Sequence, residues 1–468
     1  MTTTEQIEKT SDTGASWRDL ASYGGPVVVM AGGVLLQAVN MYLTSSLLPS
    51  IVGDIGGQTF YAWTTTTFLV MSVVAAMLVS QLLARLGTAG AYVVGFGAFV
   101  VGTLIGAAAP SMAVLLLGRG VQGFGGGLLA GLAFAVLRSV LPERLWTRAL
   151  ALLSGMYAVG TLAGPAVGGA FAQYDAWRAA FVVTALAAAG LGVVAGRALA
   201  GQPRGGDAEP VPVGSLALLT AAVAALSIAS IVHGVAVAAT IVLAVVLVLA
   251  FIGWERKATS TVMPRATYER GVPLRWIYLT LGAVSAAAVT EAFTPLFGQE
   301  IGGLEPFVAG FLGAAISVGW STTNVFAAEV HSERTKTMLV VGGPAVVALG
   351  LLGAAFVPQV ASGGWAMLIW ALLLIVAGSG IGASFPHLAV RAMSVSDDPV
   401  EAGKAAAGIN TTQMIAMSTM SALGGVLVNV GMPDVPNAAR NLQLGLAVVG
   451  ALGVITVLRA LQRPRSAA

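Results

Sequence analysis

Uninterrupted apolar runs of about 20 residues or more recur along the whole chain, and a helix of that length crosses the hydrocarbon core of a bilayer. The runs lie at about 23–51, 60–84, 89–109, 112–137, 149–172, 179–200, 213–232, 235–254, 274–297, 306–328, 337–358, 364–388, 404–430 and 441–460. The pattern predicts an all-α polytopic membrane protein with fourteen transmembrane helices.

Composition excludes several other classes of protein. Only 9% of the residues are charged and 57% are hydrophobic, whereas a soluble domain is about 25% charged. The chain has no cysteine and three scattered histidines, so disulfides, thiolate metal sites and metal clusters are not expected. A net charge of +3, with the basic residues between apolar runs, gives no reason to expect a nucleic-acid partner.

The distribution of Lys and Arg predicts the orientation. An even number of spans places both termini on one side, and short cytoplasmic loops carry an excess of basic residues. A cytoplasmic amino end puts twenty of the 23 basic residues on that side and leaves only Arg119, Arg178 and Arg440. We therefore predict cytoplasmic termini in the inner membrane of a bacterium, with no cleaved signal peptide at the polar amino end.

Two polar segments divide the chain into a predicted domain organisation. It comprises a cytoplasmic tail (1–20), an N-terminal six-helix bundle (21–200), a linker (201–212), two extra transmembrane helices (213–254), a second linker (255–273) and a C-terminal six-helix bundle (274–462). The extra pair carries no charge between Glu209 and Glu255, which favours lipid-facing helices between two halves, as in transporters with internal repeats.

A glycine-proline run, GTLAGPAVGG at 160–169, is the most specific motif. Gly160, Gly164, Gly168 and Gly169 recur at near-helical spacing and allow a neighbouring helix to approach closely, while Pro165 removes a backbone hydrogen bond. Ordinary small-residue packing explains such a run when it stands alone. It also resembles the glycine-proline signature of exporters in the major facilitator superfamily.

Further segments resemble the fourteen-helix drug:proton antiporter branch of that family, from about residue 25 onward. They are YAWTTTTFL at 61–69, LLLGRGVQGFGGG at 115–127, WRAAF at 177–181, PLFGQEIGGLEPFVAG at 295–310, GSGIGASFPHL at 378–388 and GINTTQMIAMSTMSALGG at 408–425. The resemblance implies a major facilitator fold, with two six-helix bundles around a central cavity plus two extra helices.

The sequence departs from the family pattern at two places. Asn40 stands where the first helix usually carries an aspartate, and the turn QLLARLGTAG keeps Arg85 and Gly87 but has Ala84 in place of the acid. These changes put conventional proton coupling and conventional gating in question without affecting the predicted fold.

Arg119 and Glu291 are the only charged residues predicted well inside apolar spans. Charges at that depth cost about 2.5–3.5 kcal/mol each on insertion scales and mark transport pathways. Each lies roughly 12 Å below the outer end of its helix, and the resemblance places both helices at the central cavity. We predict Glu291 and Arg119 as the proton-coupling residues, because their separation influences whether the acid holds a proton. The alternative is that Arg119 is satisfied within its own half while Glu291 lies alone in a water-filled cavity.

Polar, aromatic and soft side chains on the same spans are predicted to bind substrate. They are Gln37, Asn40, Trp320, Trp370, Asn410 and Met414. For the amides the alternative is polar contact between helices. For the two tryptophans the alternative is simple packing. For Met414 the alternative is a position that faces the core or the lipid.

The leading functional hypothesis is a secondary active transporter, a proton-coupled exporter (antiporter) of small amphipathic or hydrophobic compounds that works by alternating access. The second is a transporter of an endogenous lipid or metabolite, either uncoupled or importing, and the third is a non-transporting sensor on the same fold. An enzyme is disfavoured because no carboxylate pair, Ser-His-Asp set or metal cluster is visible. We expect no cofactor other than protons as the coupling ion, a small-molecule substrate and the bilayer as partners, and a monomer.

Overall fold

The computed structural model describes residues 17–201, 210–269, 271–360, 363–395 and 399–462. In that part of the chain all regular secondary structure is helical and there is no strand, so the all-α prediction is confirmed. We call α2–α7 the first half and α10–α17 the second half.

The first half and the pair that follows it occupy residues 17–255. The helices are α1 (Trp17–Ala21), α2 (Gly24–Ile55), α3 (Tyr61–Ala76), α4 (Val79–Ala107), α5 (Met112–Val140), α6 (Trp146–Gln173), α7 (Trp177–Ala198), α8 (Val213–Ile228) and α9 (Val235–Glu255). Short 3-10 turns precede α3 (Gln58–Phe60) and α6 (Glu143–Leu145).

The second half begins after a 3-10 turn at Arg265–Tyr268. Its helices are α10 (Leu274–Ser285), α11 (Thr290–Glu300), α12 (Pro306–Gly313), α13 (Ala315–Ala328), α14 (Glu333–Val360), α15 (Gly364–Met393), α16 (Pro399–Gly431) and α17 (Val435–Leu461). A 3-10 turn at Ala286–Val289 joins α10 to α11, so the two form one element.

Twelve helical stretches in the described ranges are long and apolar enough to span a bilayer. Two predicted spans fall short of that length. The run at 213–232 forms α8, which has only 16 residues, and the run at 306–328 is interrupted at Ala314, between α12 and α13. A count of fourteen spans therefore stays a prediction.

Gly87 forms the turn predicted between the second and third spans. It lies inside α4 with φ 71° and ψ 178°, outside helical geometry, so α4 is two helical segments on either side of it. Glycine adopts a positive φ without steric cost. The second span accordingly comprises α3 and the start of α4.

Each half is held together mainly by contacts within itself. In the first half α2 packs along α6, and α4 packs between α5 and α7; in the second half α15 packs on α13 and α14, and α14 on α17. The extra pair is less peripheral than predicted, because α8 packs against α3 and α16. Its partner α9 is largely exposed.

The halves meet at the end of the bundle where α2 and α6 finish and α12 begins, which we call the closed end. Asn429 donates to the Thr59 carbonyl at 3.0 Å, and Gln173 donates to Glu305 at 3.0 Å. Farther along the seam, Thr66 donates to the Ser421 hydroxyl, also at 3.0 Å. Toward the opposite end α6 contacts α12 extensively and α13 little, so the halves diverge along α6.

Candidate functional site

Arg119 lies on α5 and is bonded entirely within the first half. Its side chain is 2% exposed. Nη1 donates to Gln122 Oε1 at 2.5 Å and to Thr44 Oγ1 at 3.2 Å, and Nε donates to the Thr64 carbonyl at 3.2 Å. The guanidinium carbon also lies 4.4 Å from the centroid of the Phe68 ring, a cation–π distance. Neutral groups on α2, α3 and α5 thus stabilise this cation.

Gln122 extends the Arg119 cluster to Asn40, the residue in place of the family aspartate. Its Nε2 donates to Asn40 Oδ1 at 2.9 Å and to Thr103 Oγ1 at 2.8 Å. Asn40 is fully buried, and its Nδ2 has no hydrogen-bond partner among the described residues. An amide network therefore occupies the place where the family pattern has a carboxylate.

Glu291 lies on α11 and is linked to the other half through a hydrogen-bond partner in its own half. It is 3% exposed. Its Oε1 accepts from Ser317 Oγ at 2.5 Å, and Ser317 Oγ lies 2.7 Å from the Tyr42 hydroxyl on α2. Glu291 Oε2 has no hydrogen-bond partner in the described part of the chain. The Tyr42–Ser317–Glu291 chain is therefore a continuous hydrogen-bonded link between the halves, with one unused carboxylate oxygen.

Glu291 also lines a small cavity between the halves, of about 10 Å³, at the lower limit for one water molecule. The remaining wall is mostly apolar and comes from α2, α3, α11, α16 and the turn before α11. It consists of Met41, Tyr42, Ser45, Thr65, Leu69, Ala288, Val289, Ala292 and Met417. The acid thus borders a space that both halves enclose, and that space is narrower than the water-filled cavity considered from the sequence.

Arg119 and Glu291 do not face each other as an ion pair. The ion pairs among the described residues are Asp54 with Arg178 and Glu333 with Lys336. The Arg119 guanidinium bonds to neutral groups of the first half. This arrangement corresponds to the alternative stated from the sequence, in which Arg119 finds its partners within its own half.

The glycine-proline run lies on α6, against α2. A Cβ added at Gly164 would lie 2.5 Å from the Tyr42 Cβ, and one at Gly168 would lie 2.7 Å from the Leu43 carbonyl oxygen. Gly160 abuts Ala38 in the same way, while Gly169 meets the backbone of Phe307 on α12. Beside this run, Gly310 of α12 approaches the Pro165 carbonyl oxygen. The glycines therefore set how closely α2, which carries Tyr42, approaches α6.

The residues predicted to bind substrate do not form one cluster. Trp320 is half-buried and packs in the hydrophobic group that includes Leu69 and Met417 of the cavity wall. Trp370 is fully buried in the second half, where it stacks on Phe297 with centroids 6.2 Å apart.

The other predicted binding residues are scattered as well. Gln37 is half-buried on α2 and Asn410 is exposed on α16. Met414 packs near Val73 of α3, and Asn40 belongs to the Arg119 cluster. Their roles in binding stay predictions.

Hydroxyl groups are the functional feature that the sequence did not reveal. Ser317 and Tyr42 lie inside apolar runs that also contain many unremarkable hydroxyls, so nothing in the sequence singles them out. Tyr157 on α6 is 39% exposed and lies near Tyr42. Proximity to the only mid-span acid would have been the useful signal, and it requires the fold.

Glu255, at the end of α9, is a second buried acid that the sequence did not indicate. Its carboxylate accepts from Ser215 at 2.5 Å, from the backbone N–H groups of Val262 and Met263 at 3.0 and 3.1 Å, and from the Tyr268 hydroxyl at 3.1 Å. Burial raises the pKa of Tyr268, and the nearby Glu255 carboxylate raises it further. With four donors this acid holds the segment after α9 in place.

Comparisons with known proteins agree on one family. The sequence profile described as Major Facilitator Superfamily matches residues 30–428. A probable multidrug-efflux transporter of Mycobacterium tuberculosis, found in two strains, is 43% identical over 467 residues, which cover 98% of this chain and 99% of the relative.

Solved structures of low sequence identity share the fold. A D-xylose–proton symporter matches with a TM-score of 0.65 and 14% identity over 94% of this chain and 97% of its own. A bacterial homologue of the human lysosomal transporter Spinster matches with a TM-score of 0.66 and 13% identity over 95% and 99%.

Proposed function

Because the chain belongs to the major facilitator superfamily, we propose that it is a proton-coupled exporter of small amphipathic or hydrophobic compounds. Family membership and the transporter relatives make the protein a multi-pass membrane transporter and not an enzyme. The 43% identity to a probable multidrug-efflux transporter along almost the full length supports export of varied compounds.

The observation that carries the proposal is the position of Glu291. It is a buried acid at the junction of the halves, with one oxygen bonded to Ser317 and the other without a hydrogen-bond partner among the described residues. Ionisable residues inside the membrane mark ion and substrate pathways. An acid that borders the space between two moving halves can exchange a proton for a substrate group, which is the requirement of antiport.

The wall near Glu291 supports hydrophobic substrates. Met41, Leu69 and Met417 are the long, flexible apolar side chains of this wall, and methionine adapts to ligands of different shape. Separation of the halves would enlarge this space in alternating access.

We further propose the fourteen-span topology of the drug:proton antiporter branch, in a bacterial inner membrane with both termini cytoplasmic. Two six-helix bundles would then correspond to the two halves, and α8 and α9 to the extra pair. The closed end becomes the outer end, because the basic residues concentrate at the opposite side. In this topology the halves are joined at the outer end and diverge along α6 toward the cytoplasm.

One observation favours a second candidate, a transporter of an endogenous lipid or metabolite without proton coupling. Asn40 and its amide network stand where the family pattern has an acid, so one usual titrating group is missing. This candidate requires that Glu291 has no role in coupling.

Transport in proteoliposomes separates the two candidates. We expect ethidium, a lipophilic cation, to accumulate in vesicles with an acidic interior and not after the gradient is collapsed. Glu291→Gln should lose this accumulation, while Glu300→Gln, which removes an exposed carboxylate from the same helix, should retain it. Equal transport with and without the gradient would favour the second candidate.

A further inference from the structure

The Tyr42–Ser317–Glu291 chain has a fixed direction while Glu291 is charged. A carboxylate only accepts hydrogen bonds, so the Ser317 hydroxyl donates to Glu291 at 2.5 Å. The Ser317 oxygen then accepts from the Tyr42 hydroxyl, 2.7 Å away. Tyr42 belongs to α2 and Ser317 to α13, so the charge on the acid orders a contact between the halves.

We propose that this chain is a lock that keeps the halves together while Glu291 is charged and unoccupied. A proton or a substrate group on Glu291 releases it. Ser317 and Tyr42 are then positioning residues that make opening of the closed end depend on the state of the acid. The inference rests on the proposed function, since it explains how an exchanger prevents its empty form from switching.

The charge on Glu291 acts on the contact between the halves through Ser317. The bond that crosses the junction is the hydroxyl pair Tyr42–Ser317, and hydrogen bonds in a chain polarise one another. Hydrogen bonds to an ionised group are about twice as strong as those between neutral groups. A protonated Glu291 is itself a donor, so it competes with the donation from Ser317 and removes the charged acceptor. The other hydrogen bonds that join the halves are different: among the described residues Thr66 and Ser421 bond onward to the Ala62 carbonyl and not to a charged group, Asn429 donates to the Thr59 carbonyl, and Gln173 with Glu305 is exposed.

The groups around Glu291 leave the acid as the dominant charge at the lock. The titratable side chains from packed helices are Tyr42 on α2, Tyr157 on α6 and Tyr61 on α3, whose ring stacks on Phe293 of α11. Tyrosine is neutral over the ordinary pH range. Arg119 is bonded within the first half.

Charged residues elsewhere on the packed helices are remote from the lock. Glu300 at the end of α11 and Arg440 near the start of α17 both lie at the closed end. The protonation state of Glu291 therefore decides the charge at this contact.

The lock has a functional consequence for exchange. An antiporter must let the substrate-bound and the protonated forms switch between orientations and must hold the empty, charged form in place. If the empty form switched, protons would enter and the carrier would return without substrate, which dissipates the gradient. In this proposal the Tyr42–Ser317–Glu291 chain is strongest in the form that must not switch.

Distance measurements at the closed end test the lock. The chain has no native cysteine, so spin labels can be placed at Tyr174→Cys, in the turn after α6, and Val430→Cys, at the end of α16. Both positions are exposed. In nanodiscs without substrate, we expect one short distance at alkaline pH and a growing longer distance as the pH falls.

Variants at the lock should remove that pH dependence. With Ser317→Ala or Tyr42→Phe, we expect an open population about two- to tenfold larger at alkaline pH, as for loss of one hydrogen bond between hydroxyl groups. Ser317→Thr keeps a hydroxyl and should behave as wild type. The matched control is Ser384→Ala, because that buried hydroxyl bonds only to its own helix.

Proton leak gives a second readout. In proteoliposomes with an imposed pH gradient and no substrate, Ser317→Ala should dissipate the gradient about two- to tenfold faster than wild type and Ser384→Ala, by the same loss of the hydrogen bond between the halves. The lock would be overturned if Ser317→Ala and Tyr42→Phe both kept the pH gradient as long as wild type and both showed the pH-dependent distances of wild type. Coupled export by wild type with pH-independent distances would overturn the lock alone. Loss of pH-dependent opening in Ser317→Ala would support the lock even if wild type exported nothing.

Discussion

Two charged residues of opposite sign lie near the middle of their spans, and they differ in which half supplies the groups that they are linked to. Arg119 bonds to Gln122, Thr44 and a backbone carbonyl, all in the first half. Glu291 bonds through Ser317 to the other half, and its second oxygen has no partner in the part of the chain that the structure describes. Both are almost fully buried, so burial alone does not distinguish their roles.

The difference lies in what would move with each charge. Partners of Arg119 belong to one rigid group of helices and stay in place if the halves rock as bodies. The link from Glu291 crosses the junction between the halves, so it must change when they separate. Arg119 is therefore suited to a structural role, and Glu291 is suited to the exchange of a proton.

Glu291→Gln should have the largest effect on transport. Glutamine keeps the size of the side chain and removes the titrating group, so we expect gradient-driven transport to fall about a hundredfold or more, within the range of losing a group essential to the step. Thermal stability should change little, since the amide can still accept from Ser317. Proton flux on addition of ethidium to proteoliposomes is the measurement, with Glu300→Gln as the control.

Gly164→Leu tests whether the position of Tyr42 matters. A Cβ at Gly164 would lie 2.5 Å from the Tyr42 Cβ, so the larger side chain forces α6 and α2 apart and displaces the lock. We expect transport to drop by about ten- to a hundredfold while membrane insertion persists, because insertion depends on apolarity. Gly155, with open space around it, provides the matched control Gly155→Leu. Wild-type transport by well-expressed Gly164→Leu would contradict the account of this run.

The sequence predicted the helices and the two buried charges, but it did not predict the hydrogen-bond partners that distinguish the two charges. The apolar runs predicted helices, and the scarcity of charge singled out Arg119 and Glu291, because lipid penalises charge strongly. The sequence could not assign partners, since Ser317 lies 26 residues from Glu291 and 275 from Tyr42. Hydroxyls are common in membrane helices, and only packing decides which of them meet.

Two local features also could not be predicted from the sequence, for physical reasons. The break at Ala314 follows Gly313 in a run with no charge and with no proline after Pro306 at its start. Many glycines in this chain lie inside unbroken helices, so a glycine alone does not predict a break. Glu255 lies next to a polar linker, which predicts exposure, yet the chain after α9 folds back and supplies two backbone N–H donors.

Arg119→Gln should affect stability more than coupling. Loss of the guanidinium leaves the Thr44 hydroxyl and the Thr64 carbonyl with altered partners, and each buried group without a partner costs about 1–3 kcal/mol. We expect a lower melting temperature, and ligand-induced proton exchange that persists in the folded fraction. Thermal melting of Arg119→Gln beside Glu291→Gln measures the contrast. A stable Arg119→Gln variant without proton exchange would show that the cation belongs to the coupling site.

Asn40→Asp should have the smallest effect. The new carboxylate keeps the bond from Gln122 and supplies a counter-charge near Arg119, so the cluster remains satisfied within the first half. We expect transport within about twofold of wild type, because the added pair is enclosed and exchanges nothing with the cavity. A doubled proton count per substrate would show that this cluster also opens to the pathway.

Proton release on ligand binding tests the central claim most directly, because it needs no vesicle and no gradient. Purified protein in weakly buffered detergent receives tetraphenylphosphonium, and the released protons are counted with a pH indicator. If the ligand displaces the proton from Glu291, wild type and Arg119→Gln should release protons in proportion to bound ligand and Glu291→Gln should release none. Undiminished release from Glu291→Gln would contradict the assignment of exchange to this acid.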